Sequence, residues 1–509
     1  MEARTEPFSL PLGYLTCTII YRVFFHPLRK VPGPFPAKFT ELWRTRRYVL
    51  GNWHQDILDL HRKYGPVVRL SPNEVSFIDK DALLAVYGHS KGTKKTDWYD
   101  TWKFPNATNS FFNSTDPREH SFLRKRVAST YSMTSILSME PRIQQVADVF
   151  WSRLGDFART GETIDFSPWA SYFAFDVVGE VALGGPIGFV EAGTDLEQII
   201  SSIHTLFYFA ANLGYLPLQS KPIMSPTVHK VAGMLGSKEG GSIHFNNWLA
   251  QQIHKRRARG PPKEGQPGDM LDHFITMKTP DGSPVGDTEV VAEMGNIIGA
   301  GADTTSIGIR TVIGQLMLHQ DSYARVQKEV DQAYRDLGFS DEPGAGSITF
   351  AVASELPFLS ACVKEGLRLH PSILWQLPRK APAQGINVKG YYIPGSATVS
   401  ISPLTQNRCQ EVFGQDAHDW RPERWIAGEG STEQQVRDMN KFDTTFGYGS
   451  RTCVGKHLAL VEIHKFVAQL LHQFDVELVN KERPWVLKSM WFSGQADMFV
   501  KVKARAGQT

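Results

Sequence analysis

Apolar residues recur mostly every three to four positions along this 509-residue chain, which is the spacing of helices that bury one face. Runs typical of strands are short and are confined to residues 66–72, 74–79 and 390–403. Loops rich in proline, glycine and acidic residues separate helical segments at 260–269 and 338–347. The pattern therefore predicts a mainly α-helical fold with small β-sheets.

The longest apolar segment, residues 287–319, is hydrophobic on nearly all sides. A helix of this length would measure about 50 Å and would have to be buried, so we expect a central helix. Glycine inside a buried helix costs about 1 kcal/mol relative to alanine. We therefore expect Gly295, Gly299 and Gly301 to admit a large flat group. The polar sequence ADTT that follows Gly301 needs a comparable reason, and a kink with locally satisfied threonines is the alternative.

The N-terminal stretch from Phe8 to Phe25 is apolar and carries a single charge, Arg22. Its length approaches that of a membrane-spanning helix, and the basic sequence HPLRK follows it. We therefore predict a membrane anchor with its basic flank over residues 1–30, and a proline-rich extended hinge, VPGPFP, at residues 31–36. A cleaved signal peptide and a buried helix are the alternatives, and the first lacks a basic beginning and a small-residue cleavage site.

Charge and cysteine content exclude several classes of protein. A net charge of +3 over 509 residues gives no basis for nucleic-acid binding. The chain has 4 cysteines, which are too few and too scattered for a disulfide framework, and no CxxC pair indicates a zinc site. We expect reduced thiols that face the cytosol.

One of these cysteines, Cys453, lies in the glycine-rich stretch FGYGSRTCVG. Glycine lets a chain wrap tightly around a sulfur, so that backbone N–H groups can temper the charge of a thiolate. Arg451 adds a positive charge suited to a carboxylate, and an apolar helix follows Gly455. A lone cysteine excludes a zinc or iron–sulfur site at this loop, whereas haem with one axial thiolate fits.

This stretch resembles the haem-binding loop of the cytochrome P-450 superfamily, whose pattern is F-x-x-G-x-R-x-C-x-G. The matching residues, which the resemblance assigns to cofactor binding, are Phe446, Gly449, Arg451, Cys453 and Gly455. The resemblance implies a single haem-thiolate domain over residues 31–509, with a long central helix over haem b. It also implies that Cys453, in the loop beneath the haem, is the axial ligand of the iron.

Further segments resemble the family in the same order along the chain. KEGLRLHP contains an ExxR pair and PERW a third arginine, and the resemblance assigns this trio to scaffolding: Glu365, Arg368 and Arg424. HSFLR resembles the W-x-x-x-R segment with histidine in place of tryptophan, and QLPR resembles the strand after the ExxR helix. The resemblance directs three side chains from these segments, with Arg451, to the haem propionates: His120, Arg124 and Arg379.

AGADTT resembles the oxygen-activation motif of the family, which implies that Asp303 relays protons and that Thr304 hydrogen-bonds oxygen near the iron. Family position also implies a substrate pocket lined by Phe104, Phe112, Asn296, Ala300, Leu374 and Trp491. The aromatic residues favour a lipophilic, ring-containing substrate, although aromatic core residues would give the same pattern. Asn296 is a candidate polar anchor for the substrate, or else it satisfies its own helix.

The resemblance implies a monooxygenase that inserts one atom of O2 into a lipophilic small molecule. It implies electrons from NADPH-cytochrome P-450 reductase, with cytochrome b5 as an optional donor. YRVFFHPLRKVPGP resembles membrane-bound fungal members that tailor secondary metabolites, anchored in the endoplasmic reticulum with a cytosolic catalytic domain.

Two alternatives to the monooxygenase remain. The first is a haem-thiolate enzyme of the same fold that catalyses desaturation, ring closure or rearrangement without net oxygen insertion. The second is a haem protein that is not an enzyme. The Asp303-Thr304 pair favours the monooxygenase, because isomerase and dehydratase relatives tend to lose it and because a carrier would not need a proton relay.

Overall fold

The computed structural model describes residues 9–89, 93–103, 107–216, 241–260, 268–339 and 346–505. The α-helices of these residues, numbered along the chain, are α1 Ser9–Ile20, α2 Leu42–Leu50, α3 Trp53–Tyr64, α4 Lys80–Tyr87, α5 Pro117–Val127, α6 Met133–Ser138, α7 Glu140–Thr160, α8 Phe166–Leu183, α9 Phe189–Ala192, α10 Ile199–Leu213, α11 Gly241–Arg259, α12 Met270–Ile275, α13 Asp287–Asn296, α14 Ala302–Leu318, α15 Gln320–Asp336, α16 Phe350–Ala353, α17 Pro357–Leu369, α18 Pro403–Gln406, α19 Gln410–Phe413, α20 Glu433–Phe442 and α21 Lys456–Gln473.

The strands of the described residues are short and form four small sheets. They are β1 Val67–Ser71, β2 Glu74–Phe77, β3 Ile164–Asp165, β4 Arg379–Lys380, β5 Ile386–Val388, β6 Tyr391–Ile393, β7 Thr398–Ser400, β8 Phe474–Leu478, β9 Val486–Met490, β10 Phe492–Ala496 and β11 Phe499–Ala504. The prediction of a mainly helical fold with small sheets is confirmed.

The largest sheet has the strand order β1-β2-β7-β4. Its β2 and β7 run parallel, and the other two pairs are antiparallel. The strand-like run predicted over residues 390–403 divides between two sheets, because β6 pairs with β5 whereas β7 joins the large sheet. This sheet matters for the site because β4 begins at Arg379.

The predicted central helix consists of α13, a π-helical turn Ile297–Gly301 and α14, which follow one another without a break. From Ala302 to Met317 every residue except Thr304 is buried. The helix α14 packs against α8, α17 and α21, so it is surrounded by protein over most of its length. The expectation of a buried central helix is confirmed.

One glycine of this helix serves a different purpose from the one the sequence predicts. A Cβ atom at Gly299 would lie 2.7 Å from the ring of Phe207 in α10, and one at Gly301 would lie 3.4 Å from Val178 in α8. Gly299 therefore admits the ring of Phe207, whereas a side chain at Gly301 would make an ordinary contact. For Gly299 the prediction is wrong, because the sequence does not tell which partner approaches a helix closely.

The N-terminal segment forms α1 and then a π-helical turn, Tyr21–Phe25. Within the described part of the chain, which begins at residue 9, no helix combines the length and the apolar character needed to cross a membrane. Phe8, where the predicted anchor starts, lies outside the described residues.

The proline-rich hinge predicted at residues 31–36 lies against the body of the protein. The N–H of Arg69 in β1 donates to the carbonyl of Pro32 at 2.7 Å, and Val31 is buried. The chain then turns into a short 3-10 helix, Phe35–Lys38. The segment is therefore packed beside β1, with Val31 in the extended conformation that the prolines predict and a 3-10 helix that begins at Phe35.

Candidate functional site

The cysteine loop lies between α20 and α21 and is closed by hydrogen bonds of its own backbone. The N–H of Cys453 donates to the carbonyl of Phe446 at 2.7 Å. Gly449 has a φ of +64°, and a Cβ atom there would lie 1.9 Å from the carbonyl oxygen of Tyr87. Tyr87 ends α4, so the loop is pressed against the end of that helix. Glycine is the only residue that this approach admits.

The Cys453 side chain is exposed, yet burial by the surrounding protein raises the pKa of its thiol. The sulfur is therefore accessible even though protein surrounds it closely. The N–H groups of Gly455 and Lys456 and the guanidinium of Arg124 act in the opposite direction on this pKa. Gly455 and Lys456 lie at the start of α21, whose positive end also favours a thiolate. The environment is thus arranged for a negative sulfur that bonds to a partner with a positive charge.

Basic side chains from three separate segments surround a cleft of about 650 Å³. Four of the predicted cofactor-binding residues line it: His120 and Arg124 of α5, Arg379 of β4 and Arg451 of the cysteine loop. Helix α5 is fixed at its start by the Asp116 side chain, which accepts from the backbone N–H groups of Arg118 and Glu119. The structure therefore brings together side chains that are widely separated in the sequence.

The three arginines of this cleft donate to neutral oxygens. Arg124 donates to the carbonyl of Thr452 at 2.7 Å, and Arg451 donates to the carbonyl of Ser114 at 2.9 Å. Arg379 donates to the Tyr99 hydroxyl at 2.8 Å and to the carbonyl of Pro378. Among the described residues, none of the three forms an ion pair with a carboxylate.

His120 shares this positive surrounding. Burial, and then the charge of Arg451 and its basic neighbours, lower the pKa of His120 to about 3. The imidazole is therefore neutral near pH 7 and has one N–H to donate. A neutral donor among several guanidiniums suits a ligand that carries more than one carboxylate.

The donor set fits haem. The cysteine loop offers a single thiolate, and the cleft beside it offers cations without carboxylate partners, as the iron and the two propionates of a haem require. Within the part of the chain that the structure describes, no three His, Cys, Asp or Glu side chains come together in a way that could hold a metal ion by themselves. Cys453 is therefore the residue that would hold the haem iron, and the basic side chains would hold the carboxylates.

The acid of the central helix is paired with a residue that the sequence analysis did not single out. His204 Nε2 in α10 lies 3.0 Å from an Asp303 carboxylate oxygen. Burial opposes ionisation of Asp303, but the charge of His204 and its hydrogen bond outweigh it and lower the pKa of the carboxyl. Conversely, burial disfavours the charged form of His204, and Asp303 raises the pKa of the imidazole. The pair crosses 99 positions of sequence, so no local pattern could have indicated it.

Thr304, next to this acid, is partly exposed, whereas the other residues from Ala302 to Met317 are buried. Its hydroxyl donates to the carbonyl of Ala300 at 2.8 Å, which leaves the lone pairs of the oxygen free to accept. The Thr304 carbonyl accepts from the Ser372 hydroxyl at 2.7 Å. Ala300, one turn earlier, is exposed, so both residues face an open space.

Of the predicted pocket residues, three lie together. The N–H of Leu374 donates to the carbonyl of Trp491 at 3.0 Å, and the rings of Phe112 and Trp491 are 5.9 Å apart. The Asn296 side chain approaches its own helix and a loop, with Glu293 at 3.5 Å and the Ser110 hydroxyl at 3.4 Å. Phe104 lies outside the described residues.

Further aromatic residues join this group. Trp102 is 4.3 Å from Trp491, and Phe207 is 5.2 Å from Phe492, as measured between ring centroids. Among the described residues, the buried indole N–H groups of Trp102 and Trp491 have no hydrogen-bond acceptor. Trp491 also has a φ of +75°, which is uncommon for a bulky side chain and is typical of functional positions.

The predicted scaffold residues form one buried network. Two nitrogens of Arg368 donate to the two oxygens of Glu365, each at 2.8 Å. Arg424 donates to the same carboxylate at 2.9 Å, and all three side chains are fully buried. Arg368 also donates to the carbonyls of Asn407 and Ala417, so the network fixes the segment that leads to the cysteine loop.

Comparisons with known proteins agree with this geometry. The profile of the family described as Cytochrome P450 matches residues 30–498. Cytochrome P450 monooxygenase gsfF of Penicillium aethiopicum is 33% identical over 506 residues, which cover 97% of each chain. Cytochrome P450 monooxygenase cicH of Emericella nidulans is 31% identical over 493 residues, which cover 95% of each chain. A pisatin demethylase of Fusarium vanettenii is 29% identical and covers 94% of this chain and 91% of its own.

Proposed function

The chain belongs to the cytochrome P450 family, and from this premise we propose that it inserts one atom of O2 into a lipophilic small molecule as a tailoring step of fungal secondary metabolism. The observation that carries the proposal is the joint presence of Cys453 in its closed loop and of the Asp303-Thr304 pair on the central helix. The fungal monooxygenases that the chain is similar to support the same assignment.

The cofactor of the family is haem with a cysteine thiolate ligand, and this group supplies the activation of O2 when bound. We propose that Cys453 holds it, and that His120, Arg124, Arg379 and Arg451 bind its carboxylates. The proposal is supported by the cleft that these four side chains line and by the lack of carboxylate partners for the arginines among the described residues. Their positive charge also keeps the site attractive to an anion.

Asp303 and Thr304 have separate tasks in this proposal. Asp303 is buried and bonded to His204, whose side chain is partly exposed, so a proton can pass from solvent to His204 Nε2 and on to the carboxylate. The Thr304 hydroxyl lies on the exposed side of α14 and can donate or accept a proton at its oxygen once it leaves the Ala300 carbonyl. Two groups with different exposure thus form a path that admits protons without admitting bulk water.

The substrate proposed here is lipophilic, contains rings and carries at least one oxygen acceptor. The support is the aromatic group around Trp491, which offers flat apolar surfaces, and the two indole N–H groups without acceptors among the described residues. An oxygen of the substrate would satisfy such a buried donor, because an unpaired polar group costs about 1–3 kcal/mol.

The family depends on an external electron donor. We propose NADPH-cytochrome P-450 reductase, with cytochrome b5 as an optional donor, because the chain shows no nucleotide-binding motif of its own.

We also propose that residues 1–30 hold the enzyme at the endoplasmic reticulum membrane with its body in the cytosol. Exposed apolar side chains at Phe24 and Phe25 and the basic residues that follow support this attachment. Deletion of residues 2–25 should then move the enzyme from the microsomal to the soluble fraction.

The decisive experiment compares metabolites extracted from the source organism with and without this gene. We expect a precursor to accumulate that lacks one oxygen atom relative to the lost product. A precursor and product that differ by two hydrogens, or not at all in formula, would replace oxygen insertion by desaturation, ring closure or rearrangement. An unchanged metabolite profile under conditions in which the gene is expressed would contradict a tailoring role.

A further inference from the structure

Lys95 is a buried lysine beside the basic cleft, and neither its burial nor its neighbours are explained by packing alone. The residue is 5% exposed. Its Nζ lies 3.9 Å from the ring centroid of Tyr99 and 4.4 Å from that of Phe112. It donates to the carbonyl of Phe112, which is one acceptor for a group with three donors.

Lys95 and Arg379 lie on the same face of a pair of strand segments. These two residues face each other in an antiparallel bridge. Residues directly opposite in an antiparallel pair project their side chains to the same face. Arg379 lines the cleft and donates to the Tyr99 hydroxyl, and Lys95 lies over the ring of that same tyrosine. The two cations are therefore neighbours on one side of the strand pair.

The charges that act on Lys95 are all positive. Burial lowers its pKa well below the usual range, and Arg379, Arg451 and Arg124 lower it further. Among the described residues, no ion pair joins its Nζ to a carboxylate. A lysine that is buried among three guanidiniums is unfavourable unless an anion joins them, because like charges in a desolvated site repel. A carboxylate at this place would restore the ammonium form.

We propose that Lys95 is a further binding residue for the haem carboxylates, in addition to the histidine and the three arginines that the sequence indicated. The aromatic rings of Tyr99 and Phe112 hold its stem, and the Phe112 carbonyl orients its ammonium group. Lys95 thus links the cofactor to the loop that carries Phe112, a residue of the proposed substrate pocket. The inference concerns haem retention and does not depend on the reaction proposed above.

The test uses the purified holoenzyme and the variant Lys95→Gln. Glutamine keeps a donor for the Phe112 carbonyl but removes the charge. Haem transfer to excess apomyoglobin, followed by absorbance, should be about tenfold faster than in the wild type, because one charge-assisted contact is lost. The reduction potential of the iron should also become more negative, because loss of a nearby cation favours the ferric state.

Two further variants make the outcome specific. Lys95→Arg keeps the charge and should retain haem to within about threefold of the wild type. Lys380→Met removes a lysine that is half-exposed on the neighbouring position of β4 and should leave haem transfer and potential unchanged.

Wild-type haem transfer and potential in Lys95→Gln would overturn the proposal. So would a lower melting temperature in both Lys95 variants with haem retention unchanged, because that result would assign Lys95 to packing. If Lys95→Gln yields no folded protein, Lys95→Arg decides between the two roles. If Lys95→Arg loses haem as slowly as the wild type, the electrostatic role is supported. If Lys95→Arg also fails to fold, because the larger side chain does not fit between the two rings, the electrostatic role is overturned.

Discussion

The groups around the sulfur of Cys453 have opposing effects on its ionisation. Burial disfavours the thiolate, while two backbone N–H groups and a guanidinium favour it. The thiol by itself therefore resists ionisation. Once a cation is bonded to the sulfur, the N–H groups and the guanidinium stabilise the thiolate. This arrangement differs from that of an inert buried cysteine such as Cys362, whose pKa is raised by burial and by nearby carboxylates.

Substitution Cys453→Ser should abolish the thiolate signature of the haem. In the reduced, carbon monoxide-bound wild type we expect a strongly red-shifted Soret band, because the thiolate donates electron density to the iron. Cys453→Ser should lose this band completely. Cys17→Ser, at an exposed position, is the control and should keep it. An unshifted band in folded wild-type enzyme would refute the ligand assignment.

Substitution Thr304→Ala should separate electron use from product formation. The red-shifted Soret band should persist, but product formed per NADPH consumed should fall by about tenfold or more, because a positioned proton donor is lost. The measurement is the ratio of product to NADPH with the substrate that the metabolite comparison identifies.

Thr305→Ala is the matched control for this variant. Its hydroxyl donates to the Gly301 carbonyl at 2.7 Å in the same way, but its side chain is buried away from the open space. Equal coupling in the Thr304→Ala and Thr305→Ala variants would contradict the proposed role of Thr304 in proton delivery.

The cysteine loop depends on contacts with an element that is remote in sequence. Gly449 contacts the end of α4, and Arg368 donates hydrogen bonds to carbonyls of the chain that precedes the loop. Glycines therefore have unequal importance within the same loop. Gly447 also has a positive φ of +76°, but a Cβ atom there would lie 3.6 Å from the nearest atom, which is an ordinary contact.

Substitution Gly449→Ala should prevent the loop from closing, because its Cβ atom would overlap the Tyr87 carbonyl. We expect the haem content of the purified protein to fall severalfold or more. Gly447→Ala should retain most of the haem, since only backbone strain of about 1–2 kcal/mol is added. The pyridine haemochrome assay measures both. Full haem occupancy in Gly449→Ala would show that the contact with α4 is dispensable.

Across the whole molecule, histidines buried without a charge couple stability to pH. Burial lowers the pKa of His61 and of His464 to about 4, and that of His370 to about 3. His61 is bonded to the Gly65 carbonyl and to the Ser76 hydroxyl, contacts that a neutral imidazole can make. In the unfolded chain each histidine would titrate near 6.5.

Between about pH 6.5 and pH 4 the unfolded state therefore binds more protons than the folded state. The stability associated with these histidines is present above pH 6.5 and is lost as the pH falls through that range. Each one should lower the free energy of unfolding by about 2 kcal/mol at pH 5 relative to pH 7.

His61→Gln should reduce the drop in melting temperature between pH 7 and pH 5, measured by calorimetry. His254→Gln, at an exposed position of α11, should leave the drop unchanged, and an equal effect of both variants would contradict the assignment.

Much of the protein could be inferred from short stretches of sequence, because the features that they predict involve residues close together in the chain. Period and composition predicted the helical fold and the buried central helix. The glycine-rich loop identified Cys453, and the spacing of Glu365 and Arg368 on one helix predicted their pairing. These conclusions depend on residues that are neighbours in the chain, where backbone geometry determines which side chains meet.

What the tertiary structure alone decided concerns residues that are far apart in the chain. His204 meets Asp303, Lys95 lies beside Arg379, and Phe207 takes the space that Gly299 leaves. The proline-rich segment 31–36 packs on β1 for the same reason. Each contact depends on how helices and strands are arranged in space. The free energy of such packing comes from residues that are distant in the sequence and that no local pattern can identify.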